Sequence, residues 1–160
     1  MKQKTSKSSV NADLKVRFFL ADDILQQIDG KMTLLGLYPD DTVITQMPLE
    51  APEPTKENPV GFEGLAVLLC VQGLKGVHSI SLGFDDSVLV GASMIRNAGG
   101  GPKMNADQTP FDFKNGEGTS NLITRLKPFV TSSFGKKTMV LKIDDEPHKF
   151  NFEIRRSTLS

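Results

Sequence analysis

Four apolar runs in this chain end in adjacent carboxylates: Asp22-Asp23, Asp40-Asp41, Asp85-Asp86 and Asp144-Asp145. Loop-borne carboxylates in pairs are the raw material of a calcium site, because a hard cation gathers oxygen ligands at about 2.3 to 2.6 Å. If successive strands alternate in direction, the first and third pairs share one end of the domain. The second and fourth then share the other, roughly 20 Å away for a six-residue strand. Asp22, Asp23, Asp85 and Asp86 are therefore the candidate metal ligands. The competing reading is that aspartate favours turns, where its side chain bonds to nearby backbone. No calcium-loop pattern of the Asp-x-Asp-x-Asp-Gly type tips the balance towards the ion.

Other chemistry finds less support. Glycoside hydrolysis by a carboxylate pair wants aromatic stacking platforms, and the chain has one Tyr and no Trp. His78 and His148 are the only histidines and do not stand at a short metal-binding spacing. Cys70, the only cysteine, lies within "LAVLLCVQG", where an apolar setting disfavours the thiolate and no internal disulfide can form. The stretch "NAGGGPK" offers backbone amides to phosphate but lacks the Gly-Lys-Ser/Thr ending of a phosphate-binding loop. The expectation is a protein with no catalytic residues and no cofactor, calcium being the one ion to consider.

The elements that would position these residues are strands. Leu14, Val16, Phe18 and Leu20 alternate with Lys15 and Arg17, and the polar "DDILQQIDG" reads as the connection that follows. Segments 32–37 and 42–44 are further short strands. "FEGLAVLLCVQG" is apolar on both faces, as a central strand covered on each side would be. His78, Ile80, Leu82 and Phe84 alternate with small polar residues, and "SVLVGASMI" follows "DDS" as the second arm of a hairpin. "SNLITRLKPFVTSS" reads as one strand with Pro128 at a sheet edge or bulge. Met139, Leu141 and Ile143 face Phe150, Phe152 and Ile154 across "DDEPH" in a terminal hairpin.

About nine short strands without a long amphipathic helix predict an all-β fold, a two-sheet antiparallel β-sandwich of C2-like or immunoglobulin-like architecture, with a closed barrel as the rival. The domain spans 12–156, after a basic arm at 1–11 and before a short tail at 157–160. The Pro-rich loop 47–59 and the Gly-rich stretch 96–119 are its longest irregular connections. Nineteen basic residues balance nineteen acidic ones, which argues against nucleic acid and an anionic membrane as partners. No apolar run reaches the roughly 18 residues needed to span a bilayer, and no signal-like segment opens the chain, so a cytoplasmic protein is expected.

The stretch "FFLADDILQQIDGKMTLLGLYPDD" resembles the opening of a family of uncharacterised bacterial domains. There a strand ending in an acidic pair leads through a Gly-Lys turn to a second strand ending in Gly, an aliphatic, an aromatic and Pro. The matching positions are Leu20 to Asp23, Gly30, Lys31, Gly36, Leu37, Tyr38 and Pro39. The terminal hairpin is similar to the family's ending as well. The resemblance implies a β-sandwich and supplies no activity.

The sequence thus points to a non-enzymatic interaction or assembly module. It would present the arm and the loops 47–59 and 96–119 to another protein or to a second copy of itself. A structural or decoration subunit of a phage-like particle, and a calcium-dependent binding domain, are the alternatives.

Overall fold

The computed structural model describes residues 13–29, 31–48, 50–90, 94–97, 103–104, 109–113 and 119–157; the arm at 1–11 lies outside them. The described residues form an all-β structure with one 3-10 turn, Pro39–Asp41, and no α-helix. Among the described residues no helix is long and apolar enough to cross a membrane. Three sheets of six, five and three strands hold more strands than the nine expected.

The six-stranded sheet runs β2 (Met32–Leu37), β1 (Lys15–Gln26), β5 (Leu65–Gln72), β11 (Thr119–Leu126), β8 (Met94–Asn97), β9 (Lys103–Met104). The five-stranded sheet runs β10 (Thr109–Phe113), β6 (Gly76–Phe84), β13 (Gly135–Ile143), β14 (Glu146–Arg156), β3 (Thr42–Thr45). The third places β12 (Phe129–Thr131) between β4 (Val60–Phe62) and β7 (Val88–Val90).

Alternation decides what each strand buries. One face of the six-stranded sheet gives Leu20, Val67, Leu69, Val71 and Leu122 to a core completed by Ile80, Leu82, Met139, Leu141, Ile143, Phe152 and Ile154 of the five-stranded sheet. β5 buries both of its faces from Leu65 to Leu69, as its unbroken apolar run implies.

The strand order β4-β12-β7 repeats the order β5-β11-β8. β4 passes into β5 through Glu63-Gly64, β11 into β12 through Lys127-Pro128, a cis peptide, and β7 precedes β8 in the chain. The three-stranded sheet is therefore the middle of the six-stranded one, carried past a bend. Pro128 has no N–H to give a ladder, so the ladder breaks there. The segment read as one strand through Pro128 is thus two strands in two sheets.

Other expectations change for similar reasons. β6 and β7 form no hairpin at 85–87: β6 pairs with β13 and β10, while β7 pairs with β12. Stretch 96–119 is not one loop, since it holds the end of β8 together with β9 and β10. The pairing is not wholly antiparallel, because the edge strand β3 runs parallel to β14. The terminal hairpin buries Met139, Leu141, Ile143, Phe152 and Ile154 as expected and Phe150 in part, but its turn is only Asp144-Asp145, both at positive φ (50° and 70°). That left-handed pair suits a two-residue hairpin, and aspartate tolerates it better than most residues.

Phe129 of β12, fully buried, ties the third sheet to the second: its ring lies 5.5 Å from Phe62, 6.1 Å from Phe84 and 6.4 Å from Phe152. Phe129→Ala should lower the unfolding free energy by about 3 to 5 kcal/mol in a denaturant titration. A loss below about 1 kcal/mol would mean that this aromatic cluster does not hold the bend.

Candidate functional site

β1 does not stop at the acidic pair. It pairs with β5 from Lys15↔Gln72 to Ala21↔Ala66 and continues with β2 alone to Gln26↔Met32. Asp22 and Asp23 therefore lie within a strand, and "DDILQQIDG" is half strand rather than all connection.

Beyond Ala21 the β1–β2 ribbon has left β5, and it folds back over the outer face of the sheet. Ile24, fully buried, joins one apolar cluster with Ala21, Ala66, Leu68 and Ile123, and Met32, Leu34 and Cys70 pack against it. Arg125 on β11 fastens the fold. Its Nε donates to Asp23 Oδ1 at 2.7 Å, and an Nη donates to the Ile24 carbonyl. The Arg125 hydrogen bond, set against burial and helped by the Ile24 N–H and the Arg125 and Lys127 charges, holds the Asp23 carboxyl below its ordinary pKa.

Asp22 takes the other direction. Gly36 on β2 has φ of 61°, and a Cβ there would sit 2.0 Å from Asp22 Oδ2, so the aspartate occupies space that only glycine leaves free. Its other oxygen, Oδ1, accepts the hydroxyl of Tyr38. Burial first, and this carboxylate second, push the Tyr38 hydroxyl far above its usual pKa. Asp22 and Tyr38, with Phe62, Glu63, Gly64 and Lys127, line a surface cleft of about 430 Å³ at the bend between the sheets. Gly64 also makes room: a Cβ there would lie 2.9 Å from Lys127 Cε.

The ribbon's remaining side faces solvent. Of seven exposed large hydrophobic residues among the described ones, four belong to it or to its turn: Leu25 (45%), Leu35 (45%), Leu37 (51%) and the fully exposed Ile28. β2 is the outermost strand, so one edge of its backbone has no neighbour among the described residues.

Three of the four candidate metal ligands serve separate local tasks. Asp22 holds Tyr38 and Asp23 holds Arg125. Burial pushes the Asp85 carboxyl up, but the Ser87 hydroxyl, the Thr138 N–H at 2.8 Å and the Ser87 N–H at 3.1 Å, with the Lys137 charge, outweigh it and keep its pKa low. Asp86 lies beside it in the turn before β7. Among the described residues no group of three or more His, Cys, Asp or Glu side chains could hold a metal ion. The remaining pairs sit at positive φ, Asp40-Asp41 in the 3-10 turn and Asp144-Asp145 in the hairpin.

Asp144 also meets His78, whose Nδ1 lies 2.6 Å from Oδ2 while Nε2 lies 3.0 Å from the Lys75 carbonyl. The ring thus lies between two acceptors, a carboxylate and a carbonyl. Cys70 is half-buried, and burial raises its thiol pKa. The Pro-rich loop is tied to its own sheet: Pro54 is buried, and Arg156 donates to the Pro52 carbonyl at 3.4 Å and to Glu53 at 3.2 Å.

Two features escape a reading of the sequence. Lys137 shares parity with Met139, Leu141 and Ile143 and is only 3% exposed; its Nζ donates to Ser133 Oγ at 2.7 Å. Burial lowers its pKa, and the Asp85 charge resists that. The spacing alone could have exposed it. The exposed ribbon could not have been found this way, because it depends on where β1 parts from β5. No family model, curated protein or solved structure matches the chain.

Asp23 gives a pH prediction. Its folded pKa is depressed, so its stabilisation is present above the unfolded carboxylate value of about 3.9 and is lost as pH falls through the folded value. Asp23→Asn should make the acid limb of melting temperature against pH shallower than in the wild type below about pH 4. Parallel acid limbs would show that the Arg125 bond is not formed in solution.

Proposed function

We propose that the protein is a non-enzymatic interaction or assembly module and that the β1–β2 ribbon is its contact surface. One observation carries this reading: four large apolar side chains are concentrated on a single two-stranded ribbon and its turn, and the outer strand is an open sheet edge among the described residues. Scattered exposed leucines are ordinary, whereas an apolar group beside an unpaired edge is a place where another chain can gain both burial and backbone hydrogen bonds. Loop 47–59 is a weaker candidate than the ribbon, since its own sheet already holds it.

We read the architecture as a β-sandwich of C2-like or immunoglobulin-like character with a bent second layer. The resemblance to uncharacterised bacterial domains implies the sandwich and supplies no activity. The positions that carry it include Asp22, Gly36 and Tyr38, which are the residues that meet at the ribbon's base.

Sizing with light scattering tests the proposal. The wild-type protein should run as a defined oligomer or a stoichiometric complex. Leu35→Glu combined with Leu37→Glu should dissolve it while the circular dichroism spectrum stays unchanged. A wild-type monomer that turns over a substrate in a broad hydrolase screen, and that the double substitution leaves unaltered, would contradict it.

A further inference from the structure

We infer that the open edge of β2 receives an extended peptide segment of a partner protein, and that this segment carries a basic residue opposite Gly36 with apolar residues on either side. The inference rests on reading the ribbon as the contact surface and adds the chemistry of what binds there. Met32–Leu37, "MTLLGL", contains neither a charge nor a proline, the two commonest devices that keep an edge strand from pairing. An added strand would lie about 4.8 Å from β2, with cross-strand neighbours on a common face.

Residue 36 falls between Leu37, paired with Ala21, and Leu35, paired with Asp23, so Gly36 stands opposite Asp22. Having no side chain, it leaves an open path across β2 from the free edge. Asp22 reaches into that path: its Oδ2 lies 2.0 Å from where a Gly36 Cβ would be. A side chain on the added strand opposite Gly36 therefore meets a carboxylate about one strand spacing away.

The cleft behind it adds Glu63 and the rings of Tyr38 and Phe62. Two carboxylates and two aromatic faces suit a guanidinium or ammonium. The one cation in the cleft among the described residues, Lys127, also acts on the neighbouring Asp23, helping to lower its pKa. The residues flanking Gly36, Leu35 and Leu37, are exposed, and apolar neighbours of the basic residue would cover them. A second copy of this chain fits less well, because its own β2 has no basic residue to set against Asp22.

Two short capped peptides test this, one of sequence TVLRLTV and a twin in which glutamate replaces the arginine, titrated into the full-length protein by two-dimensional amide NMR. The arginine peptide should bind about tenfold tighter or better and shift the amides of Leu35, Gly36 and Gly64. In Asp22→Asn, which keeps an oxygen for the Tyr38 hydroxyl, the preference should vanish while weak binding of both peptides remains. Equal binding of the two peptides by the wild type would overturn the inference and leave the ribbon a contact surface. Preference for the glutamate peptide would overturn it in favour of an anion seat at Lys127. Binding of neither peptide by a protein whose dimer Leu35→Glu dissolves would make a second copy the occupant.

Discussion

β5 is apolar on both faces, and most of the molecule follows from that. From Leu65 to Leu69 every residue is buried, so the sheet that contains this strand needs a cover on each side. The five-stranded sheet supplies the inner one through Ile80, Leu82, Met139 and Leu141. The outer one includes a piece of the same sheet, the distal β1–β2 ribbon, which brings Ile24, Met32 and Leu34 over Ala66, Leu68 and Ile123. Fully burying a leucine or isoleucine is worth about 1.5 to 3 kcal/mol. The Arg125–Asp23 pair is more than a third exposed on each side and adds little by comparison. Packing drives the fold-back, and Arg125 sets its direction.

A ribbon used as a cover has a second side. Leu25 and Leu35 point away from the cluster that Ile24 and Leu34 join, and Leu37 and Ile28 are exposed as well. The geometry that completes the outer core thus creates the exposed apolar strip. Departure from β5 also opens the cleft, because Asp22 stands where the β1–β5 ladder has just ended and can turn towards Tyr38. The candidate site is a by-product of the bend, at which Gly36 and Gly64 both make room for a charged side chain.

Much of the fold was legible wherever alternation ran uninterrupted. Met139 to Ile143 with Phe152 and Ile154, Ile80 with Leu82, and the doubly apolar β5 occupy the places their spacing implies. The sequence misled where parity broke. Ala21 and Ile24 are three apart yet share one cluster, so "LADDILQ" could not be read as a single strand from a repeat of two. Sheet switching at Pro128 and after Asp85 was equally hidden, since a strand's partner is decided by tertiary packing rather than local spacing. The acidic pairs looked like a set because they recur, but the backbone gives them different roles: two of them occupy left-handed turns, one lies within β1, and one caps the turn before β7.

The fold-back of the ribbon is the claim on which the site depends, and methyl-to-methyl NMR contacts test it most directly. With Ile and Leu methyls labelled, Ile24 should show cross-peaks to Leu68 or Ile123, and Leu34 should show them to the same cluster. An Ile24 methyl with contacts only inside β1 and β2, beside intact core contacts such as Leu69 to Leu122, would contradict the account.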